Sequence, residues 1–245
     1  MSTNNITFTT YLKYFVLAML VGCLFIVSGT LGEFYDIGLK VILIIVLSVY
    51  AIKHNDFKSI FNISFPVQYL LVIIIPLIFS YLLSVCPLDF MPYPSYVIIT
   101  VVGTLTTAIW EELFFRYLGC SIFEENGKFR WYNIIFLVLV FSCTHIVNIF
   151  SQSAYTTMTQ LLFTFGLGIF LLALYIETHS VTLTIIAHFC INSVADFFTL
   201  NATPEAQAMA YFGDSVLLLL LDVIVYIAIA VYILKKHDHI LKSSP

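Results

Sequence analysis

Charged residues are scarce in this sequence. Only 10% of its 245 residues are Asp, Glu, Lys or Arg, while 61% are hydrophobic. Soluble domains are about one quarter charged and about half apolar, so a chain of this composition cannot cover a folded core with polar surface. The mean hydropathy of +1.02 leads to the same conclusion. We therefore expect an integral membrane protein in contact with membrane lipids, organised as a single membrane domain over residues 1–245.

A surplus of positive charge and paired cysteines are also missing. The formal net charge is −4, which provides no basic face, so nucleic acid is not an expected partner. The five cysteines form no CxxC pair and mostly lie within or at the ends of apolar runs. We interpret them as small hydrophobic residues and do not expect a disulfide framework. They are Cys23, Cys86, Cys120, Cys143 and Cys190.

Long apolar runs are abundant. Each is near the roughly 20 residues that a helix needs to cross about 30 Å of bilayer. Glycines at 166 and 168 predict a close approach between two of these helices. The predicted fold is all-α: a polytopic membrane protein with about eight transmembrane helices around a polar intramembrane cavity. The predicted segments are residues 11–31, 37–52, 66–85, 96–118, 131–150, 160–176, 181–200 and 216–234.

Basic residues are unevenly distributed between the two ends of these segments. If the amino terminus lies inside, nine basic residues fall on the inner side and only Lys40 on the outer side. This bias predicts that both termini are cytoplasmic. A composition rich in Ile, Phe, Tyr and Asn favours a bacterial cell membrane. The inner basic residues are Lys13, Lys53, Lys58, Arg116, Lys128, Arg130, Lys235, Lys236 and Lys242.

Two adjacent carboxylates, Glu111 and Glu112, lie near the end of the fourth apolar segment, with Arg116 four residues on. A charge at the centre of a membrane helix costs about 2.5–3.5 kcal/mol, so such residues indicate function by default. Glu112 and Arg116 share a helix face and are expected to pair. Glu111 is rotated away from that pair and is expected to face a cavity.

Later segments place further polar residues at a similar predicted depth. His145 lies in the fifth segment, and His188 and Asn192 share one face of the seventh. We expect these groups to share a cavity in the inner half that opens to the cytoplasm. A carboxylate can act as general base toward water with a histidine orienting it. The second histidine and the carboxamide can donate hydrogen bonds to an oxyanion.

Each polar group also has a structural interpretation when it is taken alone. Glu112 with Arg116 is then an interfacial ion pair, and the histidines are hydrogen-bonding groups between helices. A proton-coupled transporter would also use buried carboxylates, but the sequence shows no repeat of the kind such folds carry. Other polar residues are interpreted as interfacial. They are Glu177, His179, Asp196 and Asp222.

The motifs resemble those of the CPBP family, which comprises CAAX proteases and bacteriocin-processing enzymes. Glu111-Glu-Leu-Phe-Phe-Arg116 is similar to its EExxxR motif, Phe141-Ser-Cys-Thr-His145 to FxxxH, and His188-Phe-Cys-Ile-Asn192 to HxxxN. The three occur in order, and the resemblance covers about residues 96–195. It implies an intramembrane endopeptidase like the type II CAAX prenyl protease.

The resemblance also implies a role for each motif residue. Glu111 would activate water with His145, and His188 and Asn192 would form the oxyanion hole. Glu112, Arg116 and Phe141 would support them. A metal-free, glutamate-based mechanism is expected, since there is no HExxH zinc motif. The alternative is zinc held by Glu111, His145 and His188.

The expected substrate is a hydrophobic or lipid-modified peptide or protein tail, cleaved near the cytoplasmic face. The resemblance further implies roles in peptide maturation, self-immunity or signalling. A second hypothesis is a non-catalytic bacteriocin-immunity or peptide-binding membrane protein that uses the same cavity. Glu111→Gln separates the two, because it removes turnover from an enzyme and changes a binding protein little.

Overall fold

The computed structural model describes residues 6–54, 56, 68–83, 94–199 and 216–236. Apart from one isolated β-bridge, every secondary-structure element in these ranges is a helix. The α-helices are α1 (Phe8–Leu31), α2 (Glu33–Lys53), α3 (Gln68–Leu83), α4 (Pro94–Glu111), α5 (Gly119–Phe123), α6 (Trp131–Cys143), α7 (Ala154–Thr178), α8 (Val181–Thr199) and α9 (Val216–Lys236). A π-helix, Glu112–Leu118, joins α4 to α5, and a 3-10 helix, Thr144–Phe150, continues α6.

This architecture confirms the all-α polytopic membrane fold. All eight predicted segments are helical in the described ranges. Five helical stretches there are long and apolar enough to cross a membrane, and Val181–Ser193 is apolar but shorter. The five stretches are Phe8–Leu31, Glu33–Lys53, Val97–Phe123, Trp131–Phe150 and Ala154–Thr178.

Helix α7 occupies the centre of the bundle and α2 its edge. About 78% of the apolar window of α7 is buried, against 11% for α2. The predicted close approach at the two glycines is confirmed. A Cβ at Gly166 would lie 3.1 Å from Val223 Cα of α9, and one at Gly168 would lie 2.9 Å from Phe141 Cδ1 of α6. Only glycine allows the helix backbones to come this close.

Polar contacts fix which helix ends lie together. The Tyr11 hydroxyl donates to Asn133 Oδ1, which joins the start of α1 to the start of α6. The Tyr117 hydroxyl donates to Asp56 Oδ2 at 3.1 Å, just beyond α2. We call this the basic end, because the exposed or half-buried basic residues of the outer helix turns gather here. They are Lys13, Lys53, Lys128 and Arg130.

The opposite end contains the turn between α1 and α2, and we call it the turn end. Gly32 makes this turn with φ of 123°, a conformation that favours glycine. The starts of α4 and α7 and the 3-10 helix also lie at this end, because residues from all of them line the same cavities as the turn. Helix α9 runs parallel to α7, with Val223 against Gly166 and Tyr226 against Phe170.

Two sequence predictions need correction. Helix α7 starts at Ala154, not at residue 160, because the Ser153 side chain accepts a hydrogen bond from Thr156 N–H at 3.1 Å and caps the helix. Asp222 is fully buried and is therefore not interfacial. Neither of its carboxylate oxygens has a hydrogen-bond partner among the described residues.

Candidate active site

The two adjacent glutamates lie at a change of helix type. Glu111 ends α4, and Glu112 opens the π-helix. A π-turn is wider than an α-turn and often occurs at functional sites. Every residue from Glu112 to Tyr117 is buried. The sequence gives no signal for this change, because the segment has no glycine or proline to disturb an α-helix.

Glu112 is the centre of a buried polar network. Its Oε1 lies 2.7 Å from His188 Nδ1 and 3.1 Å from Arg116 Nη1. Arg116 Nη2 donates to the Gly168 carbonyl at 3.4 Å, and the guanidinium carbon lies 4.3 Å from the centre of the Phe141 ring. All these contacts are inside the bundle, where breaking a charge pair is costly. Glu112 therefore fixes the position of His188 as well as neutralising Arg116.

Glu111 has different surroundings from its neighbour. It is 7% exposed and lines both of the cavities described below, whereas Glu112 lines neither. Its Oε2 lies 3.7 Å from His188 Nε2. His188 thus stands between the two carboxylates, with Nδ1 directed to the buried one and Nε2 to the one at the cavity wall.

His145 lies in the 3-10 helix, one turn beyond Phe141. Its Nδ1 lies 3.1 Å from the Phe141 carbonyl oxygen. Since a carbonyl only accepts, Nδ1 is the donor in this hydrogen bond and carries the proton. In the neutral imidazole, Nε2 then has a free lone pair, as a base toward water requires. The Phe141 ring packs edge-on against His145 and His188, with ring centres 5.4 and 6.3 Å away.

The four residues predicted to be catalytic line one cavity. This first cavity has a volume of about 370 Å³ and is lined by Glu111, His145, His188 and Asn192. A second cavity of about 550 Å³ shares Glu111 and His145, and Phe25, Trp110 and Phe150 supply apolar walls. Both volumes fall in the range of ligand sites.

Both cavities extend toward the turn end. The sequence predicts an opening in the inner half, at the basic end, whereas the described lining residues of both cavities extend to the turn end. Exposed Glu33 lines the first cavity, and exposed Thr30 and Ser151 line the second. Glu111 is also further from the basic end than its place near the end of the predicted fourth segment suggests. The helix continues past Leu118 to Phe123, about three turns beyond Glu111.

Sequence reasoning missed several polar residues of the cavity walls. Lys40 lines both cavities and is held by Asp36, with Nζ 2.5 Å from Oδ2. Gln160 and Thr107 also line both. These side chains lie at the turn end of α2, α4 and α7. Their sequence segments contain no motif, and only the packing of the helices brings them together.

The alternative zinc site would need Glu111, His145 and His188 to lie close together. Within the described ranges, no three His, Cys, Asp or Glu side chains are close enough together to hold a metal ion. Glu111 and His188 are near one another, but His145 does not complete a set of three with them.

Glu177 and His179, which the sequence analysis interprets as interfacial, line neither of these cavities. Glu177 accepts a hydrogen bond from the Tyr69 hydroxyl at the basic end, and His179 ends α7 in a left-handed conformation with φ of 48°. Four of the cysteines are free; Cys86 and the side chain of Asp196 fall outside the described part.

The family model described as Type II CAAX prenyl endopeptidase Rce1-like matches residues 93–194. This range begins at the start of α4 and ends within α8, so it contains all three motifs and confirms the resemblance inferred from them. No curated protein and no solved structure matches the chain.

Proposed function

Since residues 93–194 belong to the Rce1-like family of type II CAAX prenyl endopeptidases, we propose that this multi-pass membrane protein is an intramembrane endopeptidase. It hydrolyses a peptide bond in a hydrophobic or lipid-modified peptide or protein tail. The observation that supports this proposal most strongly is the convergence of Glu111, His145, His188 and Asn192 on one cavity wall.

Water activation is assigned to Glu111 and His145. Both line the first and the second cavity, and the proposed catalytic water lies between their side chains. Glu111 Oε2 and His145 Nε2 are the two acceptors available to take its proton, since His145 Nδ1 is bound to the Phe141 carbonyl. The hydroxide then attacks the peptide carbonyl, and the proton passes to the leaving nitrogen.

Stabilisation of the oxyanion is assigned to His188 and Asn192. Glu112 holds His188 through Nδ1, which leaves Nε2 to donate to an oxyanion when that nitrogen is protonated. The Asn192 carboxamide supplies a second donor one helical turn further along α8. Donors fixed in advance by such contacts need no reorganisation during the reaction, and this is the source of their catalytic effect. Glu112, Arg116 and Phe141 are positioning residues.

We propose a metal-free reaction, which is supported by the distance between the three possible zinc ligands: in the described ranges they form no group that could hold a metal ion. The test compares cleavage of hydrophobic peptides by the purified wild-type protein, Glu111→Gln and Glu124→Gln, each with and without a chelator. Glu124 is a carboxylate outside both cavities and serves as the matched control. We expect Glu111→Gln to lose about 10²–10⁴-fold in rate, and both other proteins to cleave with or without chelator.

Other results would contradict specific parts of the proposal. Loss of wild-type activity in chelator, with recovery on adding Zn²⁺, would contradict the metal-free reaction. Absence of cleavage by the wild-type protein, with Glu111→Gln still functional in cells, would contradict the protease. That result would instead favour a peptide-binding or bacteriocin-immunity role for the same cavity.

A further inference from the structure

The cavities belong to one half of the bundle. The first is lined by the opening turns of α2, the first part of α4 and the first part of α7, and all of these lie at the turn end. Beyond Glu111, in the other direction, the buried residues Glu112, Leu113 and Arg116 fill the interior. In the described part of the chain, the reacting groups are therefore approached from the turn end.

Positive charge is concentrated at the other end. Lys13, Lys53 and Arg130 lie at the basic end. Lys235 lies in the last turn of α9 at the same end, because α9 runs parallel to α7. At the turn end, the described residues include one lysine, Lys40, and it is paired with Asp36. Short segments rich in Lys and Arg remain on the cytoplasmic side of a membrane. The basic end is thus the cytoplasmic end.

Taken together, these observations lead us to propose that the active-site cavity opens to the non-cytoplasmic face of the membrane. The substrates are then polypeptide segments that have been exported, or protein tails that lie outside. This inference rests on the proposed function for the identity of the substrate as a polypeptide. It excludes lipid-modified proteins that remain in the cytoplasm. The direction of the opening can be tested without any turnover.

Two matched serines allow this test. Ser151 is exposed and lines the second cavity at the turn end, and Ser121 is exposed near the basic end. Ser151→Cys and Ser121→Cys are made in a variant without the five native cysteines and treated in whole cells with a membrane-impermeant maleimide. We expect Ser151→Cys to be labelled in intact cells, and Ser121→Cys only after permeabilisation. The reverse pattern would overturn the proposal.

Thr107→Cys extends the test into the cavity, because Thr107 lines both cavities between the rim and Glu111. We expect a small hydrophilic thiol reagent to reach it from the outside. Labelling from the cytoplasmic side alone would overturn the proposal. If the cysteine-free variant does not fold, reporters fused after Pro245 of the wild-type protein give the orientation. A fluorescent GFP fusion and an inactive alkaline phosphatase fusion are expected, and the opposite result would overturn it.

A final comparison separates this inference from the proposed function. Wild-type protein is prepared in right-side-out and in inside-out vesicles. A hydrophobic peptide with a charged, membrane-impermeant tag is then added to the outside of each. We expect cleavage only in right-side-out vesicles, and cleavage only in inside-out vesicles would overturn the inference. No cleavage in either, together with outside labelling of Ser151→Cys, would contradict the protease while supporting the outward opening.

Discussion

At the scale of single residues, adjacent Glu111 and Glu112 have different environments. Glu111 faces a cavity, whereas Glu112 is fully buried and contacts both Arg116 and His188. The same isosteric substitution should therefore have different effects at the two positions. Substitution of Glu111 is expected to affect catalysis, and substitution of Glu112 the stability of the fold.

We expect Glu112→Gln to lower the free energy of unfolding by about 3–5 kcal/mol, because Arg116 is left as an uncompensated buried charge. Glu111→Gln should lower it by less than about 1 kcal/mol, since Glu111 forms no ion pair with a permanent cation in the described part of the chain. Denaturant unfolding in detergent micelles measures both. Equal destabilisation by the two variants would show that Glu112 is not the structural centre of the network.

Asn192 provides a second prediction at this scale. Asn192→Ala removes one proposed oxyanion donor and should lower kcat by about 10²–10³-fold with little change in KM. Asn148→Ala is the control, because Asn148 lines the second cavity but not the first and donates to Gln160 Oε1 at 2.9 Å. Similar losses in kcat for both variants would argue against an oxyanion role for Asn192.

The sequence predicts part of this network. The four-residue spacing predicts the contact between Glu112 and Arg116, which the structure confirms at 3.1 Å. The contact between Glu112 and His188 could not be predicted, because 76 residues separate the two. Their distance depends on how α8 packs against the π-helix, and periodicity within one segment contains no information on that packing.

At the scale of secondary-structure elements, α7 and α6 pack closely beside the active site. Gly168→Ala would place a Cβ 2.9 Å from Phe141 Cδ1. Phe141 contacts Arg116 and both histidines, so its displacement should affect stability and rate together. We expect a loss of about 1–3 kcal/mol in stability from overpacking and a lower kcat.

Gly38→Ala is the matched control for this substitution. Gly38 lies in α2, and a Cβ there would meet nothing within 4 Å. Alanine is favoured over glycine in a helix by roughly 1 kcal/mol, so this variant should be as stable as the wild type or more stable. Thermal unfolding in detergent and peptide cleavage compare the two. Equal effects at both positions would contradict the importance of the α6–α7 contact.

Helix positions were largely predictable at this scale, but helix types were not. Apolar length alone predicts all eight helical segments, because a bilayer requires each span to satisfy its own backbone hydrogen bonds. The π-helix at Glu112–Leu118 and the 3-10 helix at Thr144–Phe150 contain no glycine or proline that would predict a change of helix type. Both are set by packing and by polar contacts with other helices.

At the scale of the whole molecule, burial increases from α2 at the edge to α7 at the centre. We expect Leu171→Ala to cost about 2–5 kcal/mol, because Leu171 is fully buried and the substitution leaves a cavity. Ile45→Ala should change stability by less than about 0.5 kcal/mol, since Ile45 is 56% exposed and its side chain faces lipid or detergent. Denaturant unfolding compares them, and similar costs would contradict a bundle centred on α7.

The direction of the cavity shows where sequence reasoning fails at this scale. Depth within each predicted segment places the polar groups in the inner half of the membrane, but it does not show which half of the bundle is filled with side chains. The residues from Leu113 to Tyr117 are buried on the side of Glu112 that faces the basic end, and the Phe115 ring lies 5.0 Å from the Phe141 ring. Smaller and polar residues such as Gly103 and Thr107 leave space at the turn end.

Helix α2 has a further consequence. It supplies Asp36 and Lys40 to the cavity walls, yet it lies outside residues 93–194, which match the family, and it is little buried by the other helices. Part of the cavity wall is therefore contributed from outside the region that matches the family. Substitutions at Asp36 or Lys40 would alter this wall without changing any residue of the three motifs.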